Sequence, residues 1–551
     1  MPNVTRLSSS YWPKDTSQEV RAVTLGGLIR QVASETPDRV ALVEGTADAG
    51  KRRRWSYAEL LEHSERVARA LLARFQPGER IAVCAPNCPE WILLQVGASL
   101  AKLVLVPMNP AYRTAEVAHV LKSAKAAGFF FVERYRDVDL KSIALELKGS
   151  LPDIRHAICL SDWNDFVASA PLLASLPEVG PDDILQIQFT SGTTGFPKGA
   201  CLTHRGVINA SLFSARAGEF PDGGVWINAM PMFHIGGIAT EVGTFAKRGT
   251  YVLMPGFDAG LMLELFECEK GMTTLVVPTM LHTLLDHPDL SRRDLSSLRV
   301  IACGASAVPP PLIRRAKETF GCKFTIPFGQ TELSGIFAQC LPSDSTEDQC
   351  ETVGRPLAQV EVKIADPGTG AVLPTDEVGE IWVRGYLVTA GFFGQPEETR
   401  KTITEDGWLK MGDLATMDDR GYLRITGRLK DMIIRGGMNL YPLEIEGVLA
   451  NHPDVAQVSV VGVPDEKWGE VVGAVVLPAA GKAPPSPDVL DLYCREHLAA
   501  HKAPSLWYFV DSFPTNATGK IQKFTLHEWI KSGVIAPTST THQRLRERSE
   551  N

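Results

Sequence analysis

The run Phe189-Thr-Ser-Gly-Thr-Thr-Gly-Phe-Pro-Lys-Gly-Ala gathers groups that hold phosphate. Gly192, Gly195 and Gly199 free the backbone to turn N–H groups inward, while Thr190, Ser191, Thr193 and Thr194 add hydroxyls and Lys198 a positive charge. That inventory suits a polyphosphate. It departs from a Walker A loop, because Pro197 stands where the second glycine is needed and Gly199 replaces the Ser or Thr after the lysine. Elsewhere, Thr331-Glu332 offers a hydroxyl and a hard carboxylate oxygen. Asp413 follows Gly412 and reads by itself as a turn or cap aspartate. His234, in Pro231-Met-Phe-His-Ile-Gly-Gly, reads as readily as a core histidine as a site residue. Phe328 offers an aromatic face that could equally be core.

The elements that must position these groups follow from the apolar pattern. Arg80 to Ala85 reads as a buried strand, Pro89 to about Ala101 as a helix, Leu103 to Val106 as a short strand, Thr114 to Ala126 as a helix and Gly128 to Val132 as a strand. Strands alternating with helices of that length predict parallel crossover units with helices on both sheet faces. The phosphate-holding run follows a predicted strand, Ile184 to Phe189, and is expected to lead into a helix from about His204. A strand-rich region covers 351–424, with Val360 to Ile364 alternating at period two. Beyond Arg428 a helix (Glu444 to Leu449), two strands (Val455 to Val463, Glu470 to Leu477) and a helix (Pro487 to Leu498) suffice for a small α+β domain.

The chain has 551 residues, too many for one core. With 56 Lys and Arg against 64 Asp and Glu, the net charge of −8 leaves no basic field for nucleic acid. No stretch approaches the roughly 18 apolar residues of a membrane span; the best candidate, from Ile92, stops at Lys102. The ten cysteines show no zinc spacing and read as reduced thiols. Without an apolar signal-peptide core or a peroxisomal ending, the expected compartment is the cytoplasm.

Six ordered motifs carry a family resemblance. The run from Phe189 resembles the phosphate-binding signature of the adenylate-forming superfamily, which includes acyl-CoA synthetases, peptide-synthetase adenylation domains and luciferases. Phe328-Gly-Gln-Thr-Glu resembles its aromatic-Gly-x-Thr-Glu motif, and Gly379-Glu-Ile with Gly391-Phe-Phe the next core motif. Met411-Gly-Asp-Leu is similar to Thr-Gly-Asp-Leu, with Met411 removing the hydroxyl. Gly427 to Glu446 resembles the hinge region, and Pro514-Thr-Asn-Ala-Thr-Gly-Lys520 the C-terminal lysine motif. The resemblance implies that a carboxylic acid is activated with ATP and Mg2+ to an acyl-AMP. It implies a metal-binding role for Glu332, an α-phosphate contact for Thr331, and catalysis by Lys520. By the same resemblance, Phe328 takes adenine, Gly329 belongs to the nucleotide site, Asp413 and Arg428 take the ribose, and 190–195 with Lys198 the phosphates.

The acyl pocket and coenzyme A channel implied by the resemblance involve His234, Gly236, Gly304, Ala305, Gly436 and Gly437. Amino-acid-activating relatives carry an aspartate at the position of His234, so an α-amino acid substrate is disfavoured. The nearest likeness is to medium-chain acyl-CoA synthetases, which predicts a medium-chain or bulky apolar acid transferred to coenzyme A. Loading of a carrier protein in trans is the alternative. The expected fold is α/β: a large N-terminal domain, 1–429, combining parallel-type sheets and helices with a β-rich part, and a small mobile α+β domain, 430–551, hinged at Lys430. The expected partners are small molecules, without nucleic acid, and a homodimer is compatible with this reading.

Overall fold

The computed structural model describes residues 6–170, 175–190, 197–306, 308–515 and 521–538. Two largely parallel sheets dominate the first 360 residues. One has six strands in the order Lys198–Thr203, Ile184–Thr190, Val104–Met108, Arg80–Cys84, Ala126–Phe131 and His156–Cys159, parallel except for the hairpin at its edge. The other has nine, with six parallel strands from Lys323–Gln330 through Val300–Cys303, Thr273–Val276, Val225–Asn228 and Thr250–Leu253 to Val40–Glu44. Antiparallel strands close both ends of this sheet.

Between the sheets lies the helix Pro89–Leu100, eleven of whose twelve residues are buried. A helix apolar all round belongs in a core, which explains why it was the most membrane-like stretch of the sequence. No helix among the described residues is long and apolar enough to cross a membrane. The helices Leu25–Glu35, Tyr57–Leu72, His204–Ala217 and Ile235–Ala246 pack in the same layer, and the core they share runs on into the antiparallel sheet beyond.

That third sheet contains Val360–Ala365, Gly379–Gly385, Leu409–Met417 and Leu423–Arg428, with Tyr11–Trp12 added at its edge opposite Val362 and Lys363. A fourth sheet holds Met438–Leu440, Ile433–Arg435, Gly469–Pro478 and Val455–Asp465, with Leu506–Phe509 parallel to Gly469–Pro478. Its buried clusters, centred on Val460, Val472 and Trp507 and on Val475 and Tyr508, draw only on residues from Ile433 onward.

The expected elements recur with small shifts. The helix from Thr114 ends at Ala124 rather than Ala126, because Lys125 turns left-handed at φ 48° and Ala126 already starts the next strand. The expected strand before the phosphate-holding run and the helix from His204 are both present, and a strand that was not expected precedes that helix: Lys198–Thr203 pairs antiparallel with Ile184–Thr190. Ala200, Cys201 and Leu202 are buried by this pairing, and a Cβ on Gly199 would lie 2.6 Å from Ile187 Cγ2.

Candidate active site

Thr190 and Lys198 stand opposite each other at the base of that hairpin. Ser191, Gly192, Thr193, Thr194 and Gly195 lie outside the described residues, as does Lys520. Lys198 is engaged by an acid: its Nζ lies 2.5 Å from Glu398 and 5.7 Å from the centre of the Phe392 ring. Lys198, with Lys401, holds the Glu398 carboxyl down to about 2. A phosphate arriving at Lys198 would compete with Glu398 for one charge.

Thr190 also reaches across the molecule. Its Oγ1 donates to Glu332 Oε1 at 3.4 Å. Glu332 sits on the single 3-10 turn Thr331–Leu333, where the strand Lys323–Gln330 stops and doubles back as Gly335–Cys340. Ser334, left-handed at φ 54°, makes the corner, and the Glu332 carbonyl accepts the Thr389 N–H at 2.8 Å. Burial raises the Glu332 carboxyl above the ordinary range, and the bond from Thr190 and the charge of Arg428 only partly offset this.

Phe328 is half-buried, edge-on to Phe337 at 5.6 Å between centroids. Position 329 admits only glycine, since a Cβ there would lie 1.8 Å from the Gly335 carbonyl oxygen. Asp413 and Arg428 are direct partners on adjacent strands, Nε to Oδ1 at 2.9 Å. The Asp413 side chain is 8% exposed and that of Arg428 51%, so the pair presents a buried acid under a partly open cation. Gly412, at φ 72°, turns the strand here and donates its N–H to Glu380 at 3.0 Å. Met411 is buried among apolar residues, consistent with its missing hydroxyl. Both Asp413 and Arg428 act electrostatically on Glu332. The structure thus brings Thr190, Thr331, Glu332, Asp413 and Arg428 to one place.

His234 has a visible local task. It is the N-cap of Ile235–Ala246, its Nδ1 accepting the Gly236 N–H at 3.1 Å. Gly304 lies against Pro327, whose carbonyl would be 2.7 Å from an added Cβ, and Ala305 is left-handed at φ 65°. Two residues escaped the sequence reading. Gln188 donates to the Phe233 carbonyl at 2.6 Å and so ties the hairpin to the His234 loop, while buried His204 accepts the Leu25 N–H at 3.2 Å. The signal for the first was the polar pair Gln186 and Gln188 inside an apolar strand; for the second there was none.

Gly436 and Gly437 form the two-residue tip between Ile433–Arg435 and Met438–Leu440, both at positive φ, 57° and 82°. Left-handed angles at both positions are what a tight hairpin of matching twist requires. Gly436 donates its N–H to Trp468 at 2.8 Å, and a Cβ would stand 2.8 Å from that ring. Bonds from this hairpin run to Trp468, Glu470 and the His501 carbonyl, none of them in the Glu332 cluster. Lys430 is exposed on the turn Leu429–Asp431, directly after Arg428.

An α/β fold with a small C-terminal domain, in which carboxylates and a guanidinium gather beside the strand pair carrying Thr190 and Lys198, is that of the adenylate-forming enzymes. Residues 29–393 match the AMP-binding enzyme family, and residues 444–520 match the AMP-binding enzyme C-terminal domain. YngI of Bacillus subtilis (strain 168) is 36% identical over 535 residues, covering 92% of this chain and 96% of its own. The mitochondrial medium-chain acyl-CoA ligase ACSF2 of Danio rerio is 34% identical, covering 96% and 91%. The solved structure of ATP-bound MatB from Rhodopseudomonas palustris is 30% identical and superposes with a TM-score of 0.82, covering 92% and 99%. The chain belongs to the AMP-binding enzyme family.

Proposed function

We infer that this enzyme is an acid–CoA ligase. It activates a medium-chain or bulky apolar carboxylic acid with ATP to acyl-AMP and pyrophosphate, then transfers the acyl group to coenzyme A. The observation that carries this reading is the convergence of Thr190 and Glu332 with the Asp413–Arg428 pair. The acyl-CoA ligase named among the relatives and the ATP-bound MatB structure support it.

A carboxylate is a poor electrophile, so its attack on the α-phosphate is a matter of placement and charge stabilisation. An ionised Asp413 accepts both ribose hydroxyls, while its ion pair with Arg428 fixes its direction. Phe328 offers its face to adenine at a strand end where the bare backbone of Gly329 permits close approach. Thr331 donates to the α-phosphate, and the hairpin amides and hydroxyls with Lys198 hold the remaining phosphates. Glu332 fits a magnesium ion, since one buried carboxylate plus substrate phosphates is a common ligand set for that ion. When bound, Mg2+ neutralises charge on the departing pyrophosphate. Lys520 reaches the developing charge from the C-terminal domain, 430–551, which turns about Lys430 so that Gly436 and Gly437 line the coenzyme A path in the second step. His234, held by its cap bond, stands between the acid and the thiol.

The ten cysteines carry no disulfide, which suits a reducing compartment such as the cytoplasm. The test is ATP–pyrophosphate exchange across acids of graded length, followed by AMP and thioester formation with coenzyme A. Exchange without thioester, alongside loading of a carrier protein, would move the reading to a carrier-loading enzyme.

A further inference from the structure

Residues 229–234 join the strand Val225–Asn228 to the helix Ile235–Ala246 without belonging to either, and three side-chain amides hold their backbone. Asn228 accepts the Met230 N–H at 3.2 Å and donates to the Met230 carbonyl at 2.8 Å. Asn87 donates to the same carbonyl at 3.0 Å and accepts the Met232 N–H at 2.8 Å. Gln188 donates to the Phe233 carbonyl at 2.6 Å. Buried backbone outside regular structure needs such partners. Asn228 ends a strand of the nine-stranded sheet and Asn87 follows one of the six-stranded sheet, so the first half of the loop is held from both. Gln188 differs from these two in coming from the strand that carries Thr190.

Side chains alternate along a strand, so Gln186, Gln188 and Thr190 share one face of Ile184–Thr190 and Ile187 takes the other. Two residues advance about 7 Å, which sets the Phe233 anchor one pleat before the Thr190 contact with Glu332. The peptide between Phe233 and His234 is fixed at both polar ends. Its carbonyl accepts from Gln188, and its N–H donates to the Pro231 carbonyl at 3.1 Å. Gln186 orients the Gln188 amide by donating to its Oε1 at 3.2 Å. Gln186 is itself fully buried, and its own Oε1 has no hydrogen-bond partner among the described residues. A buried acceptor left unpaired costs more than a neutral hydrogen bond returns, so for stability alone an apolar residue at 186 would serve better. The pair therefore points to placement.

We propose that Gln188 is a positioning residue for acid activation, setting His234 at a fixed distance from the nucleotide cluster through the Phe233–His234 peptide. This rests on the ligase reading above, in which His234 stands between the acid and the thiol. Loss of one neutral hydrogen bond corresponds to about twofold to tenfold.

The experiment is ATP–pyrophosphate exchange with octanoate, or with 3-phenylpropanoate where octanoate gives none. KM for the acid and KM for ATP are measured separately for wild type, Q188M, H234N and the double variant. Methionine keeps the length of glutamine without its hydrogen bonds, and asparagine at 234 keeps an oxygen able to cap the helix. A KM does not depend on how much of the enzyme is folded. Q188M should raise KM for the acid about fivefold, leave that for ATP within about twofold, and add less than about twofold in the H234N background. Q186L, which removes only the orienting bond, should shift KM for the acid in the same sense and keeps the test open should Q188M not fold. An acid KM that neither variant moves, an equal rise for ATP, or a full effect persisting in H234N would overturn the proposal while leaving the ligase reading intact. An acid KM unchanged in H234N would remove His234 from the acid site and overturn both the proposal and that part of the reading. No exchange with either acid would overturn the substrate reading and the proposal with it.

Discussion

His204 offers a test of how the nucleotide hairpin is anchored. It begins the helix directly after that hairpin, is buried, and accepts the Leu25 N–H through Nδ1. Burial pushes its pKa from 6.5 down to about 4, with Asp183 opposing only weakly. A histidine depressed in the folded state is neutral there, while the unfolded chain takes up a proton below about 6.5. Its contribution is therefore present above 6.5 and is lost as pH falls toward 4. Between pH 7 and pH 4.5 the loss from these two values is about 2 kcal/mol. His204→Asn cannot ionise and keeps an oxygen able to accept from Leu25, though the smaller side chain carries its own packing cost. The informative quantity is accordingly the slope with pH and not stability at one pH. Urea unfolding of both proteins from pH 7 to 4.5 should show the wild type losing about 2 kcal/mol more than the variant. Parallel pH profiles would refute the assignment of a neutral, buried His204.

Glu332→Gln should slow pyrophosphate exchange about 100-fold and raise the Mg2+ concentration for half-maximal rate. Since burial raises this carboxyl, the unfolded chain ionises first as pH rises and folding stability falls above the usual carboxylate range. The ligand-free variant should therefore gain stability relative to wild type more at pH 8 than at pH 4.5, as thermal melts would show. Lys520→Ala should abolish acyl-AMP formation yet retain much of thioester formation from supplied acyl-AMP; equal loss in both would remove Lys520 from the first step. Lys430→Pro fixes φ near about −65° and should leave pyrophosphate release intact while stopping acyl transfer. Normal rates in both half-reactions would relocate the hinge.

What the sequence made legible shares one property, that a local pattern sufficed. Arg80–Cys84 and Val360–Ala365 are visible as a buried run and as alternation, and Pro89–Leu100 as an apolar stretch behind an N-terminal proline. The strand Lys198–Thr203 was not visible, because its lysine and glycine look like the tail of a loop. Only pairing with Ile184–Thr190 makes them a strand. The hairpin Ile433–Arg435 with Met438–Leu440 was hidden for the same reason, its glycines reading as a channel lining before they read as a turn. Within the site, motif likeness nominated Glu332, Asp413 and Arg428, while contacts across long sequence separations put them together. The polar pairings of Gln188 with Phe233 and His204 with Leu25, and the unpaired Oε1 of Gln186, exist only in three dimensions.

The early strands bear on the order of assembly. Tyr11–Trp12 waits for Val362 and Lys363, and Val40–Glu44 for Thr250–Leu253. On a ribosome adding about 5–20 residues per second, the 352 positions between Tyr11 and Lys363 take roughly 20 to 70 s. For that interval Tyr11–Trp12 has no native edge to join. That edge of the antiparallel sheet is completed by residues made well before their partners. Sequence changes in the first 45 residues should accordingly show first in the yield of folded protein rather than in the rate of the finished enzyme.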